Sequence, residues 1–158
     1  MLNVLVLCTG NSCRSVMGEA LFNSLGRGRV KAYSAGSYPT GKINQGALAT
    51  LQRHGLPTEG YQSQSWDEFE DQRFNIVITV CDNAAGEVCP VYLNKAVRVH
   101  WGVADPAHLQ GTQEEIEAAF EKTFGILERR VKKMLALPLE EMNDQELAEK
   151  LNAIGQES

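Results

Sequence analysis

Two residues with the right spacing for oxyanion chemistry, Cys8 and Arg14, bracket the string Cys8-Thr9-Gly10-Asn11-Ser12-Cys13-Arg14-Ser15. An apolar run, Leu2 to Leu7, precedes it, and helix formers from Val16 to Leu25 follow. A turn between a strand and a helix can gather successive N–H groups into a concave nest, and the helix dipole adds partial positive charge there. Gly10 is expected to relieve the steric limits of that turn. Arg14 in the first helical turn offers a two-pronged donor fork to a tetrahedral oxyanion. Thr9, Gly10, Asn11, Ser12, Cys13 and Arg14 are thus the oxyanion-binding candidates, and Cys8 is the candidate nucleophile. The same field is expected to lower the Cys8 pKa from about 8.5 into the range of roughly 3.5 to 7.5 found at helix N-termini and beside arginine. A shift of about two units supplies roughly 2.7 kcal/mol towards the thiolate. Ser15 is placed to hydrogen-bond the Cys8 sulfur. An isolated Cys-x5-Arg match reads more readily as a buried cysteine and a surface arginine; the strand-loop-helix placement argues for function.

Two further thiols, Cys81 and Cys89, follow the densest β-branched run of the chain, Asn75 to Val80. Gly86 and the small Ala84 and Ala85 would let the loop between them fold back and bring the sulfurs together, as thiol–disulfide exchange requires. A zinc site or two inert thiols are the alternatives. Structural zinc favours Cys-x2-4-Cys spacing, whereas seven residues separate this pair, with no His-x3-5-His nearby. Cys13 reads as a packing residue, with an off-pathway disulfide to Cys8 as the other reading. Asp105 precedes Pro106, which keeps it out of helical geometry; it is either a turn residue or an acid.

The elements that must hold these groups alternate. Strands are expected at Leu2–Leu7, Lys31–Ala35, Asn75–Val80 and Ala96–Val99. Asn75–Val80 lacks polar alternation, so it is expected beside the first strand and covered on both faces. Helices are expected over Val16–Leu25, after the N-cap Asn44 as far as Gly55, and from the Thr112/Glu115 capping box to Pro138 with Ile116, Phe120, Phe124, Leu127, Val131 and Leu135 inward. A last helix starts at Asn143/Glu146 and stops at Gly155. Strands alternating with helices imply an α/β sandwich on a parallel sheet, with ligands at the carboxyl ends of the strands. Cys8, Cys81, Cys89 and Asp105 all follow strands. His54 and His100 read as helix-end and strand-flank residues, and Trp66 and Trp101 as packing aromatics.

The chain has 158 residues, expected to form one domain over 1–158, with 15 Lys and Arg against 20 Asp and Glu. That balance, without a basic run, argues against nucleic acid. No charged leader or long apolar stretch opens the chain, so no membrane and a cytoplasmic location are expected, where thiols stay reduced. No exposed apolar stripe is evident, and a monomer is expected.

The string at 8–15, with Tyr33-Ser34-Ala35-Gly36, the cysteine loop and Asp105-Pro106-Ala107, resembles the low-molecular-weight protein tyrosine phosphatase superfamily. It looks most like the thioredoxin-coupled arsenate reductase branch. The resemblance runs from Met1 to about Leu135. It implies a three-layer sandwich with a central four-stranded parallel sheet and helices on both faces. In such relatives, Cys8 would attack arsenate (phosphate and sulfate being analogues), and Asp105 would protonate the leaving oxygen. Cys81 would resolve the Cys8 intermediate, and Cys89 would attack Cys81. Thioredoxin would reduce the resulting disulfide, the whole serving arsenic detoxification. No organic cofactor is implied; some relatives bind potassium through residues matching Asn11, Glu19, Ser34 and Asp67. Ala107 and His108 stand where the phosphatase branch usually has aromatics, a departure that weakens phosphotyrosine recognition. Two other readings remain: a phosphatase whose Cys81 and Cys89 protect Cys8, and a non-catalytic redox-sensing module.

Overall fold

The computed structural model describes residues 2–81, 93, 95–106 and 110–156. Four strands, β1 (Leu2–Leu7), β2 (Val30–Ala35), β3 (Ile76–Thr79) and β4 (Val97–His100), form one sheet in the order β2-β1-β3-β4. All pairs are parallel, with Leu7 opposite Ala35 on one side and Thr79 on the other. β3 lies beside β1 as its unbroken apolar character predicts, since every one of its residues is buried.

Alternation sorts the strand side chains to two faces. Val4, Val6, Ala32, Ile76, Ile78 and Val99 join a large core with α1 (Arg14–Leu25), α2 (Gln45–Arg53), α3 (Gln113–Leu135) and α4 (Asp144–Gln156). Leu5, Leu7, Ala35 and Val77 face the other way, under a smaller cluster with Phe74 and Leu93. The 3-10 helix Trp66–Phe69 covers that side, where Tyr33, Phe69 and Phe74 meet edge to face.

The start signals hold in detail. Asn44 Oδ1 accepts from the N–H groups of Gly46 and Ala47, and Thr112 Oγ1 accepts from that of Glu115. Asn143 and Glu146 cap each other reciprocally, at 2.8 and 3.3 Å. Gly155, expected as a stop, instead lies inside α4. A Cβ there would sit 2.3 Å from the His100 carbonyl oxygen. The residue is therefore set by close approach of helix to strand rather than by a turn. Trp101 is fully buried, stacks on Phe22, and donates its indole N–H to the Leu151 carbonyl. His54 ends α2, stacked on Phe124, and His100 ends β4 with Nδ1 2.7 Å from Thr79 Oγ1. Among the described residues, no helix is long and apolar enough to cross a membrane.

Candidate active site

From β1 the chain crosses to β2 on one side and then to β3 on the other, so the order of the sheet switches between β1 and β3. Such a switch opens a crevice at the carboxyl ends of the two strands. Cys8 follows β1 directly, and Cys81 lies two residues beyond β3, with Val80 N–H bonded to the Leu7 carbonyl. Register thus brings together two thiols that are 73 positions apart in sequence. Cys81 hydrogen-bonds Cys8 through its side chain, and its sulfur accepts the Thr9 N–H at 3.4 Å. A cleft of about 650 Å³ opens over them, lined by Cys8, Thr9, Gly10, Ser12, Cys13 and Arg14 with Cys81 and Asp105. Tyr38, Thr40 and Asn44 complete the lining. Cys89, Ala107 and His108 lie outside the described residues.

The loop 8–14 is turned inside out by its neighbours. Its carbonyls at Thr9, Gly10 and Ser12 accept from the N–H groups of Tyr38, Thr40 and Asn44, at 3.0, 3.0 and 2.8 Å. Ser63 Oγ adds a second bond to Gly10 O at 3.0 Å. Tying carbonyls outward in this way favours a loop whose amides can gather as an anion nest. Gly36 makes this packing possible, because a Cβ would lie 2.3 Å from the Thr9 oxygen.

The strained residue of the loop is Asn11 (φ 45°), whereas Gly10, expected to take that part, has no positive φ. Asparagine tolerates the left-handed region because its side chain bonds locally. Here Asn11 is fully buried; Oδ1 accepts the Gln64 N–H at 2.8 Å and Nδ2 donates to Ser15 Oγ at 2.9 Å. Ser15 Oγ, as the acceptor of that bond, braces the loop.

Arg14 opens α1, whose N-cap Cys13 supplies no side-chain bond and whose first turn holds no acid. The helix end therefore keeps its positive character for a ligand. The guanidinium donates from Nη1 to the Val103 carbonyl at 2.9 Å and lies 3.4 Å from an Asp105 oxygen through Nη2. Its Nε is buried without an acceptor among the described residues. A buried orphan donor is costly, and an oxyanion in the cleft would satisfy it.

The thiols depart from expectation. The shared hydrogen bond with Cys81, and then burial, push the Cys8 thiol up; Arg14 and the Gly10 N–H pull it down without prevailing. The expected lowering counted the helix and Arg14 but not a second sulfur, and two adjacent thiols cannot both ionise cheaply. Cys13 is pushed up to about 12, by burial first and then by Asp105. It stays a protonated packing residue.

Beneath the loop, Ser34 Oγ donates to Glu19 Oε1 at 2.5 Å, and Gln64 Nε2 donates to the Ser34 carbonyl at 3.3 Å. Burial raises the Glu19 carboxyl. Asn11, Glu19 and Ser34 are thus linked through Gln64, while Asp67 stands on the exposed side of the 3-10 helix. Ser63 and Gln64, which hold the loop from 53 residues away, carried no signal in the sequence. Asn44 did, as an N-cap.

Comparison with known proteins places this geometry. The family model for low molecular weight phosphotyrosine protein phosphatase matches residues 3–152. The chain belongs to that family. The match reaches into α4, further than the motifs alone suggested. Within the family, the arsenate reductases of Halalkalibacterium halodurans and Bacillus subtilis are each 36% identical over 126 residues, covering 80% of this chain and 89% of theirs. A solved structure described as an arsenate reductase in the phosphate binding state superposes with TM-score 0.72 at 25% identity, over 86% of this chain and 98% of the other.

Proposed function

We propose that this chain reduces arsenate to arsenite, with Cys8 as nucleophile and Cys81 and Cys89 as a disulfide relay emptied by thioredoxin. The observation that carries the reading is the Cys81 thiol hydrogen-bonded to Cys8 in the cleft that the residues of the oxyanion-loop candidate line. Simple hydrolysis needs no second sulfur there. Relatives named arsenate reductase support the same reading.

The steps balance. The Cys8 thiol passes its proton to an arsenate oxygen and attacks arsenic(V) as the thiolate, an As–O bond breaks, and Asp105 gives its proton to the leaving oxygen. The amides of residues 11–14 and the Arg14 guanidinium hold the remaining oxygens, the Thr9 and Gly10 N–H groups being turned to the two sulfurs. Cys81 thiolate then attacks the Cys8 sulfur; the S–As pair passes to arsenic, which leaves as arsenite, and a Cys8–Cys81 disulfide forms. Cys89 thiolate attacks the Cys81 sulfur and frees Cys8. The two thiols of thioredoxin reduce the Cys81–Cys89 bond. Such a relay requires the reducing conditions of a cytoplasmic setting, and a monomer suffices for it.

Potassium enters the proposal as a structural ion. Oxygen donors suit an alkali cation, and the buried Asn11 and Ser34 supply them beside the half-buried Glu19 carboxylate, with Asp67 as an outer contributor. The ion would offset the Glu19 charge beneath the loop. Tighter phosphate binding in potassium than in a bulky organic cation, abolished by Glu19→Gln, is the expected result; equal binding removes the ion from the proposal.

The test of function is multiple-turnover arsenate reduction with thioredoxin, thioredoxin reductase and NADPH. Arsenate-dependent NADPH oxidation, lost in Cys89→Ser, is expected. The second reading is hydrolysis of a phosphate ester with the extra thiols as a redox guard, favoured by the family match itself. No arsenate-dependent oxidation, together with aryl phosphate hydrolysis that is sensitive to Cys8→Ser, would establish it.

A further inference from the structure

The inward face of α3 carries two polar residues among its apolar ones, Thr123 and Arg130, each only 5 to 6% exposed. Seven residues apart, they share one stripe of the helix, two turns from each other. That stripe faces the segment 101–105, which has no regular structure and ends on Asp105. Gly102 and Val103 are half-buried and Ala104 is exposed, and their irregular backbone finds partners for its polar groups outside regular structure.

Here the partners are side chains. The Gly102 carbonyl accepts from Arg130 Nη1 at 3.3 Å, the Val103 carbonyl from Arg14 Nη1 at 2.9 Å, and the Ala104 carbonyl from Thr123 Oγ1 at 3.5 Å. Val103 N–H closes the set by donating to the Val80 carbonyl at 3.1 Å. Consecutive carbonyls are thus tied alternately to α3 and to the oxyanion-binding arginine. The two α3 contacts are long, so each is individually weak. Arg130 is the stronger of them because its donor is charged.

We propose that Arg130, assisted by Thr123, is a positioning residue for Asp105: from outside the cleft it holds the acid-bearing segment where the carboxyl meets the leaving oxygen. The inference rests on the reading of Asp105 as general acid. Oxyanion binding is left to residues 8–14, so loss of Arg130 should affect the protonation step and not affinity. A residue that merely fills the core would show no such selectivity.

The experiment is a double-mutant cycle in thioredoxin-coupled arsenate turnover, with native chain, Arg130→Met, Arg130→Lys, Thr123→Val, Asp105→Asn, and each α3 substitution combined with Asp105→Asn. Arg130→Met is expected to lower kcat about 10-fold with KM for arsenate within about twofold, Arg130→Lys to recover much of the loss, and Thr123→Val to cost about threefold. On the Asp105→Asn background the same substitutions should cost less than about twofold, because the group they position is gone. Equal losses on both backgrounds, or none on either, overturn the proposal. Native kcat in Asp105→Asn refutes the acid reading instead. A native chain that turns over no arsenate refutes the functional reading, and the cycle run on phenyl phosphate hydrolysis then decides the positioning role. Thr123→Val, nearly isosteric, keeps the test valid should Arg130→Met fail to fold.

Discussion

Replacing Cys81 by alanine should make Cys8 more acidic, the reverse of what loss of a hydrogen-bond partner usually does to an anion. In the native arrangement, Cys81 raises the Cys8 thiol both through the shared hydrogen bond and through its charge; burial adds to this, while Arg14 and the Gly10 N–H oppose it. Cys81→Ala removes the first and largest contribution and leaves both opposing ones. Two unit charges about 4 Å apart interact by roughly 4 kcal/mol at an effective dielectric near 20, or about three pKa units. Since the cleft is open to solvent, we expect a fall of about one to two units. The readout is the pH dependence of Cys8 alkylation by iodoacetamide, followed by peptide mass. A lower pKa raises the thiolate fraction tenfold per unit but weakens its nucleophilicity, with a Brønsted slope of about 0.4 to 0.5. The net gain at pH 7 is therefore about threefold per unit, or roughly 3- to 12-fold in all. The midpoint of the profile should move down in step. An unchanged or higher midpoint in Cys81→Ala, with Arg14 intact, would refute the two-sulfur account and restore Arg14 and the helix as the dominant influences.

Cys13 gives a pH prediction of definite sign. Its folded pKa, pushed up to about 12 from an ordinary 9.0, means that the native state holds the proton more tightly than the unfolded chain. Stability from this group is full below pH 9 and is lost as pH rises towards 12, by up to about 4 kcal/mol; Cys13→Ala should flatten the alkaline arm of a urea-unfolding series, and an unchanged arm would contradict this. Asp105→Asn removes a negative charge from beside Arg14, so phosphate should inhibit about 3- to 10-fold more tightly while arsenate turnover falls about 100-fold; weaker phosphate inhibition would refute the placement of Asp105. Gly155→Ala, which improves helix propensity by about 1 kcal/mol, should nonetheless destabilise, because its Cβ meets the His100 oxygen at 2.3 Å. The expected net loss of about 1 to 3 kcal/mol lowers Tm by roughly 2–4 °C per kcal/mol, and a rise in Tm would contradict the packing.

Local signals in the chain determined a great deal. The apolar run at 2–7, the caps at Asn44, Thr112 and Asn143, and the unbroken β-branched run before Cys81 each specify an element through chemistry confined to a few neighbouring residues. Cys8 and Arg14 were legible as candidates for the same reason, since a loop between strand and helix carries its own anion-binding chemistry. What depends on distant partners was not legible. Gly10 stood as the flexible residue until Asn11 took the left-handed conformation, held by Gln64. Gly155 stood as a stop until β4 came against it. The acidity of Cys8, reasoned from its own loop, was reversed by a sulfur delivered by β3. Thr123 and Arg130 broke an apolar stripe for no local reason, and their partners lie on a segment about 20 to 30 residues upstream. A sequence fixes conformation where hydrogen bonds close within a turn or two. Where burial and charge come from another strand or helix, only the assembled fold decides which atoms meet, and through them which way the Cys8 thiol is shifted.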